Sequence, residues 1–411
     1  MKYVKNIAAT SALLAGMTLP AAATDLEVTH WWTSGGEAAA IAELAKAFDA
    51  TGNKWVDGAI AGAGGVARPI MISRITGGDP MGATQFAIGR QSKELIDAGL
   101  MRDITSVADA NHWRDFIKPM AIMDNCTVDG KIYCAPLNVH SKEWLWVSNE
   151  AFKKVGIPVP TTWDEFVATG PKLRAAGIQP LALGGQAWQA DNVFDALLLS
   201  LGGPDLYMKI YKDKDAKSVA SPEAAKVFAA FADVRSLSAG TNVQDWNQAT
   251  NMVITAKAGA QISGDWAQGE FERAGQKSGS DYSCLLGLGV NNYISTTGDA
   301  IFFPKLKDEA KSKAQEVLAA LLLDPKVQLA FNTKKGSVPI RNDVDVSGAS
   351  ECMQKGIKTL RDGNALPAGE QLLTSDTRSQ KMDLITQFIA TPTITPEELQ
   401  TRFAKIIAFA D

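Results

Sequence analysis

Residues 26–52 read LEVTHWWTSGGEAAAIAELAKAFDATG, and this stretch decides the fold class of the chain. Its first part, Leu26–Trp31, reads as a β-strand. The second part, Glu37–Gly52, reads as a helix because apolar side chains recur at the i, i+3, i+4 and i+7 positions of one face. These side chains are Ile41, Leu44, Ala45 and Phe48. A strand followed at once by an amphipathic helix predicts an α/β fold built on a parallel sheet.

The same alternation of strand and helix continues along the chain. A glycine-rich loop and helix, GAIAGAGGVARPIMISRITGGDP (58–80), precede a short strand at Ala83–Phe86 and a helix over SKELIDAGLM (92–101). A hairpin and an extended run interrupt the pattern near residue 135, and a second α/β unit follows. Because prolines and glycines are spread along the chain and mark no single linker, we predict two lobes joined by several crossing strands. Ligands of such sheets bind in loops beyond the carboxyl ends of the strands.

The composition is that of an ordinary globular protein and argues against two classes of partner. The chain has 411 residues, of which 46% are hydrophobic and 21% charged, and this suits two domains with sizeable cores. Its formal net charge is −4, and lysine and arginine form no cluster in the sequence. Because nucleic acids and anionic membrane surfaces both require such clusters, we expect neither as a partner.

The first 23 residues have the three parts of a secretion signal. Lys2 and Lys5 form a basic start, Ile7–Leu19 is apolar, and small residues precede a cleavage site at Thr24. The apolar part is shorter than the roughly 20 residues that span a bilayer, and the cleavage site has no cysteine that could carry a lipid. We therefore expect residues 1–23 to be removed and the mature chain to be a freely diffusing periplasmic monomer.

Four cysteines suit the periplasm, where disulfides persist. Cys126 and Cys134 enclose CTVDGKIYC, in which Asp129-Gly130 is a hairpin-turn dipeptide, so a bridge across the hairpin is geometrically easy. Cys284 and Cys352 then remain to pair with each other across a long loop. The alternative, a zinc site made by all four cysteines, needs a paired C-x-x-C spacing that this sequence lacks. We predict two structural disulfides.

Other motifs argue against a cofactor, and we expect none. GAGGVA (Gly62–Ala67) matches the glycine pattern of dinucleotide folds, but the required acidic residue after the next strand is not clearly present. The three histidines lack the close spacing of a metal site, and no G-x-S-x-G is present. Two alternatives to a binding protein stay open. Glu37, Asp265 and Asp299 could converge as the paired carboxylates of a glycoside hydrolase, and the chain could be a structural envelope protein.

Tryptophan is the most informative residue type here. Successive strand side chains point to opposite faces, so at most one of the adjacent Trp31 and Trp32 is plainly in the core. In SGDWAQGEF (263–271), Trp266 lies in a loop, where a large apolar ring needs a reason. Indoles can cover the apolar face of a sugar ring, while carboxylates, amides and cations satisfy its hydroxyls. With Glu37, and glycines that let backbone amides approach, the pattern favours a neutral sugar.

Three segments resemble a known family. The segment DGKIYCAPLNVHSKEWLWVSNEAFKKVGIPVPTTWDEF (Asp129–Phe166) closely resembles a passage of the family 1 extracellular solute-binding proteins, the periplasmic sugar receptors of ABC importers. AGAQISGDW (Ala258–Trp266) and KKGSVPIRNDV (Lys334–Val344) resemble two further signatures of this family, in the expected order. The opening HWWTSGGE (30–37) is similar to that of the glucose/mannose-type members.

The resemblance implies a fold and a mechanism. The fold is the two-lobed, type II, maltose-binding-protein-like α/β fold, in which a sugar is buried between the lobes and a hinge closes over it. An N-terminal lobe of 24–135 plus about 299–345 and a C-terminal lobe of about 136–298 plus 346–411 are expected. The protein is then not an enzyme, and it delivers its sugar to a membrane permease that works with a cytoplasmic ATPase.

The resemblance also implies the residues of the binding site. The loop after the first strand is expected to stack on and bond the sugar, and a second indole to cap its other face, while one acid and one lysine contact hydroxyls. A histidine lies on the crossing segment near the cleft. The loop residues are Trp31, Trp32 and Glu37, and the second indole is Trp266. The acid is Asp299, the lysine is Lys335 and the histidine is His140.

One part of the site departs from the family pattern. After the third strand the family usually presents a polar or basic residue to the sugar, whereas this chain has Ile88 near that place. Arg90 and Gln91 lie just beyond it and are predicted to contact the sugar instead. In the C-terminal region, LLTSDTRSQ (372–380) has no obvious counterpart of the basic or histidine contact that the family makes there. The ligand is therefore left open between glucose, another hexose and a disaccharide.

Overall fold

The structure is a computed structural model that describes residues 23–89 and 92–410. Nearly all of the predicted signal peptide, residues 1–22, lies outside the described residues. Two predicted sugar contacts, Arg90 and Gln91, lie outside them as well.

The strands are short, and most belong to three sheets. In chain order they are β1 (Asp25–His30), β2 (Lys54–Ala59), β3 (Ala83–Ala87), β4 (Thr127–Val128), β5 (Lys131–Ile132), β6 (Cys134–Pro136), β7 (Asn138–Ser141), β8 (Trp144–Ser148), β9 (Gln179–Leu181), β10 (Ala258–Ser263), β11 (Tyr282–Leu286), β12 (Ile294–Thr297), β13 (Asp299–Phe302), β14 (Val338–Pro339) and β15 (Ala365–Pro367).

The helices differ widely in length, from single turns to the 25-residue α9, whose helical geometry is interrupted at Gly203. In chain order they are α1 (Gly35–Asp49), α2 (Ala63–Thr76), α3 (Lys93–Asp97), α4 (Thr105–Ala110), α5 (Trp113–Phe116), α6 (Met120–Asn125), α7 (Asn149–Lys154), α8 (Trp163–Ala175), α9 (Ala187–Tyr211), α10 (Ala216–Val219), α11 (Pro222–Ser238), α12 (Trp246–Ile254), α13 (Ala267–Arg273), α14 (Glu309–Leu322), α15 (Pro325–Lys335), α16 (Glu351–Arg361), α17 (Gly369–Leu372), α18 (Ser375–Ala390) and α19 (Pro396–Ala408).

The opening stretch folds as its periodicity predicts. The strand β1 and the helix α1 match the predicted elements to within three residues at each end. The helix begins where it does because Ser34 and Glu37 form a capping box, in which each side chain accepts a hydrogen bond from the other residue's backbone amide. The predicted helix at 92–101 ends earlier, at Asp97, because Gly99 adopts a left-handed φ of 71°.

Two main sheets organise the chain. The first has the strand order β2-β1-β3-β13-β6, in which β1 runs parallel to β2 and β3 while β13 is antiparallel to both of its neighbours. The second has the order β11-β8-β10-β9. Each sheet has its own large cluster of buried apolar side chains. Where the chain would divide into two moving lobes during a hinge movement remains a prediction from the sequence.

A third, smaller sheet lies where the chain passes from one main sheet to the other. Its order is β14-β7-β12-β15. Strand β7 follows β6 of the first sheet and precedes β8 of the second, and β12 follows β11 of the second and precedes β13 of the first. The two strands are antiparallel neighbours, with Thr297 opposite His140. The crossing strands that the sequence predicts are therefore β7 and β12.

Both disulfides join the predicted cysteines. Cys126 is bonded to Cys134, across the hairpin, and Cys284 to Cys352, which ties β11 to α16. Within residues 23–89 and 92–410, no group of three or more histidine, cysteine, aspartate or glutamate side chains could hold a metal ion.

Candidate functional site

Most of the predicted site residues come from segments that end or begin at the junction of the sheets. Trp31 follows β1, and Glu37 lies in the first turn of α1. Asp299 is the first residue of β13, and Lys335 is the last of α15. The crossing strand β7 supplies His140, and Trp266 immediately precedes α13. These positions are widely separated in sequence, so tertiary folding alone brings them near one another.

Glu37 and Lys335 form a buried ion pair. The Lys335 Nζ atom lies 2.7 Å from Glu37 Oε1, and the two side chains are only 3% and 9% exposed, lysine first. A buried ion pair is tolerated only when further contacts compensate its loss of water. Here Glu37 lies at a helix N-terminus and Lys335 at a helix C-terminus, so each charge also meets the favourable end of a helix dipole. The pair places one fixed cation and one fixed anion side by side.

His140 connects two buried carboxylates that belong to different sheets. Its Nδ1 atom lies 2.5 Å from Asp265 Oδ1, just after β10, and its Nε2 atom lies 2.9 Å from Asp299 Oδ2, at the start of β13. Burial by itself lowers the pKa of His140, but the charges and hydrogen bonds of the two carboxylates outweigh it and raise the pKa to about 9. At neutral pH the ring is therefore a cation that donates a hydrogen bond to each acid.

Asp299 is held by partners that sequence reasoning missed. Gln85 donates to Asp299 Oδ1 at 2.9 Å, and the side-chain oxygen of Asn138 accepts from the Asp299 backbone amide at 2.8 Å. Burial raises the pKa of Asp299, but the hydrogen bond and charge of His140, with help from Lys335, bring it down to about 2. The carboxylate is consequently ionised and fixed in orientation throughout the physiological pH range.

The adjacent tryptophans have different environments. Trp32 is 2% exposed, and its ring packs edge-on against Phe331 with centroids 5.7 Å apart, so it belongs to the first core. Trp31 is partly exposed, and its ring lies over Gly64, where an added Cβ would sit 3.4 Å from the indole. The Trp31 backbone amide donates to Gln85, which also holds Asp299. Of the two indoles, Trp31 is the one that a ligand can reach.

Trp266 approaches the same region from the second sheet. Its ring meets His140 edge-to-face at 5.2 Å between centroids and Trp188 at 6.2 Å. The ring also folds back over Gly264, where a Cβ would lie only 2.2 Å from an indole carbon. Any side chain at position 264 would clash with the indole, so a glycine there is what allows the Trp266 ring to adopt this orientation. Like Trp31, it remains partly exposed.

The glycines of HWWTSGGE (30–37) serve a close approach between helices. A Cβ at Gly36 would lie 2.7 Å from the backbone of Gly269, in α13, and one at Gly269 would lie 2.6 Å from the carbonyl oxygen of Lys334. The Gly36 amide donates to the Glu270 carboxylate at 2.7 Å. These glycines therefore allow α1, α13 and α15 to pack closely. The sequence predicted that backbone amides of this turn would approach a ligand, but the Gly36 amide is already hydrogen-bonded to Glu270.

Comparison with known proteins identifies the family. Residues 32–318 match the sequence pattern of the bacterial extracellular solute-binding proteins. The chain belongs to this family. This chain is 37% identical over 362 residues to a probable sugar-binding periplasmic protein of Brucella melitensis, and the alignment covers 87% of this chain and 85% of that relative.

Solved structures of several sugar receptors have the same fold as this chain. The bacterial solute receptor AcbH, described as having an exclusive preference for β-D-galactopyranose, superposes with a TM-score of 0.74 at 21% identity, covering 94% of this chain and 97% of that one. Maltose-bound MalE3 of T. maritima gives a TM-score of 0.72 at 18% identity, covering 94% and 100% of the two chains. At such identities the similarity concerns the fold, and it confirms the predicted two-lobed, type II architecture.

Family membership also decides among the three function classes that the sequence left open. Extracellular solute-binding proteins are non-enzymatic components of transport systems that work with membrane permeases. The prediction that the chain is not an enzyme is therefore confirmed, and the glycoside hydrolase and structural envelope protein alternatives are set aside. No helix in the described part of the chain is long and apolar enough to cross a membrane.

Proposed function

We propose that this protein is the periplasmic receptor of an ABC-type sugar importer and that glucose or a related neutral hexose is its ligand. One observation carries the proposal. Partly exposed indoles from different segments, Trp31 after β1 and Trp266 after β10, flank a group of fixed and charged hydrogen-bonding side chains. Flat apolar faces beside such acceptors and donors suit a pyranose ring.

In this proposal Asp299, Lys335 and Glu37 each form hydrogen bonds with different hydroxyls of the sugar. The ionised Asp299 accepts hydrogen bonds from hydroxyls, and charge-assisted bonds of this kind are the strong ones. Lys335 donates and Glu37 accepts, and their mutual ion pair at 2.7 Å keeps both in position before a sugar arrives. Because these groups are already desolvated and oriented, little ordering is left for the sugar to induce.

His140 acts in this proposal through Asp299. Both of its ring nitrogens already have carboxylate partners, at 2.5 and 2.9 Å, so neither is free to donate to a hydroxyl. The imidazolium instead orients Asp299 and links it to Asp265 on the other sheet. It is thus a positioning residue, placed on the crossing strand about which the lobes would turn.

Closure of the lobes makes delivery conditional on the ligand. With Trp31 on the first unit and Trp266 on the second, a small ring touches both only when the lobes meet over it. The crossing strands β7 and β12 are the segments that would absorb the rotation. The permease would then recognise the closed form, and the ligand favours that form by binding it more tightly. We propose that the exported receptor acts as a monomer after cleavage of residues 1–23.

A thermal-shift screen of the mature chain, residues 24–411, against monosaccharides and small oligosaccharides tests the proposed function. A ligand present at 100 times its dissociation constant stabilises the folded state by about 2.7 kcal/mol, which raises the melting temperature clearly. We expect stabilisation by glucose or another hexose, without release of product from aryl glycosides. No stabilisation by any sugar would contradict the proposal.

A further inference from the structure

A cavity of about 180 Å³ lies between segments of the two halves of the chain. On one side it is lined by Arg68 and Ile72 of α2 and by Ile88, which follows β3. On the other side it is lined by Glu370 of α17 and Arg378 of α18. Two arginines from distant parts of the chain thus line one partly open cavity.

This cavity adjoins segments that also carry proposed hexose contacts. Arg68 is one helical turn beyond Gly64, the residue that the Trp31 ring covers, and its guanidinium is 3.4 Å from the Gly64 carbonyl oxygen. The Ile88 amide donates at 2.9 Å to the carbonyl oxygen of Gly298, which immediately precedes Asp299. These contacts place the cavity beside the segments that carry Trp31 and Asp299, on the side where a substituent of a bound hexose would extend.

The buried acid of the cavity is already neutralised. Glu370 lies 3.2 Å from Lys142 Nζ and 3.6 Å from the Arg378 guanidinium, and it accepts a hydrogen bond from the Thr297 hydroxyl. Burial raises the pKa of Glu370, but Lys142 and Arg378 bring it down to about 2. Its single negative charge is thus met by two cations, and Arg378 keeps an excess of positive charge.

Arg68 adds a second positive charge, which has no ion-pair partner at contact distance among the described residues. Within the described residues no carboxylate lies within 4 Å of its guanidinium, and its buried Nε atom has no hydrogen-bond partner. Burial, together with the like charge of Arg378, lowers the pKa of Arg68, and the more distant charge of Glu370 offsets this only in part. The remaining acid, Glu94, is exposed to solvent, which screens its charge. An anion bound between Arg68 and Arg378 would reduce the electrostatic repulsion between these two positive charges.

We propose that Arg68 and Arg378 form an additional subsite for an anionic group, so that a hexose carrying a carboxylate or a phosphate binds at the neutral-hexose position with added affinity. Guanidinium groups match both anions with paired hydrogen bonds. The cavity also includes Ser375, the first residue of the long helix α18, and a helix N-terminus favours negative charge. This inference rests on the proposed function and refines it, since the hexose position is unchanged and the added subsite sets preference.

Matched sugars test the subsite by calorimetry on the mature chain. Glucose is compared with glucuronate and glucose 6-phosphate, and galactose with galacturonate, at pH 7 and fixed ionic strength. Because charge-assisted hydrogen bonds are stronger than neutral ones, we expect the anionic member of at least one pair to bind about tenfold more tightly or better. Carboxylate and phosphate arms identify which anion fits, and the advantage should fall as salt is raised.

Two variants assign the effect to the arginines. Arg68→Gln and Arg378→Gln should each abolish most of the advantage of the anionic sugar and leave the affinity for the neutral hexose within about threefold. Arg74→Gln is the matched control, because it removes the same charge from α2 where Arg74 pairs with Glu27 at 2.6 Å, at the other end of the helix. The control should keep the full preference.

The outcomes separate this inference from the proposed function. If neutral hexoses bind but the anionic sugars bind no more tightly, the anionic subsite is wrong and the hexose receptor stands. If a neutral disaccharide is preferred and loses affinity in Arg68→Gln, the anionic subsite is also wrong, and only the sugar-receptor function stands. If no sugar of either kind binds, both proposals fail. A preference that persists in both arginine variants would place the anion elsewhere and overturn the assignment.

Discussion

Two groups of charged side chains lie between the sheets, and they differ in how their charges are compensated. Around His140 each buried acid has a protein partner, and the imidazolium lies within 3 Å of both Asp265 and Asp299. In the neighbouring cavity Arg68 has no carboxylate at ion-pair distance in the part of the chain that the structure describes. The first group is complete without a ligand, whereas the second is completed by one. Structural damage should therefore follow changes in the first group, and altered ligand preference should follow changes in the second.

The largest effect is expected for His140→Asn. The substitution removes the cation between two buried carboxylates, and an uncompensated buried charge costs several kcal/mol. We predict a loss of about 4–5 kcal/mol in the free energy of unfolding, measured by urea titration, because two acids lose their partner at once. His112→Asn is the matched control, since His112 is exposed, and it should change stability by less than about 0.5 kcal/mol. Equal stability of the two variants would mean that the His140 contacts contribute nothing.

A somewhat smaller loss is expected for Lys335→Met. The methionine fills much of the same space but leaves Glu37 buried without its partner at 2.7 Å, so we predict a loss of about 3 kcal/mol. Lys334→Met is the control, because the neighbouring lysine is exposed. Glu37→Gln in the Lys335→Met background should recover part of the loss, and a double-mutant cycle measures the coupling. Strict additivity of the two changes would contradict the ion pair.

The elements that can be predicted from the sequence are those whose signal is local. The strand β1 and the helix α1 are confirmed because their apolar periods lie within a few residues, and the alternation of strand side chains leaves only Trp32 in the core. Glu37 and Lys335 are 298 residues apart, so no local pattern joins them, and only the family resemblance placed them in one site.

The partners of Asp299 could not be predicted for a related physical reason. Gln85 and Asn138 are polar residues in short strands, and such residues usually mark a solvent face. The role of Gln85 follows from the antiparallel register of β13 with β3, in which Asp299 lies opposite Ala87 and two residues from Gln85 along the ladder. Register between strands more than 200 residues apart is fixed by the fold and is not visible in either strand.

The pH dependence of stability sharpens the comparison further. The folded-state pKa of His140 is raised to about 9, so the stabilisation it provides is fully present below its unfolded value near 6.5 and is lost as the pH rises through about 9. The stability difference between the wild type and His140→Asn should shrink by about 2–3 kcal/mol between pH 6.5 and pH 9.5. A difference that stays constant over this window would show that His140 is not protonated in the folded protein.

The smallest effect in free energy is expected for Trp266→Ala, and it concerns binding. Loss of a stacked indole should weaken the binding of the hexose found in the screen by more than roughly tenfold. The far-UV circular dichroism should not change, since the ring is partly exposed and its neighbours His140 and Trp188 remain. Trp32→Phe, a conservative change inside the core, is the control and should leave the affinity within about threefold. Equal affinity of Trp266→Ala and the wild type would remove the ring from the site.

The most direct test of the central claim is a crystal structure of residues 24–411 with the hexose that stabilises the protein most. We expect the ring to lie between Trp31 and Trp266, with one hydroxyl within about 3 Å of Asp299 and another within about 3 Å of Lys335. The His140 contacts to Asp265 and Asp299 should be unchanged by the ligand. A sugar held by one lobe alone, or one that lies away from both indoles, would contradict it.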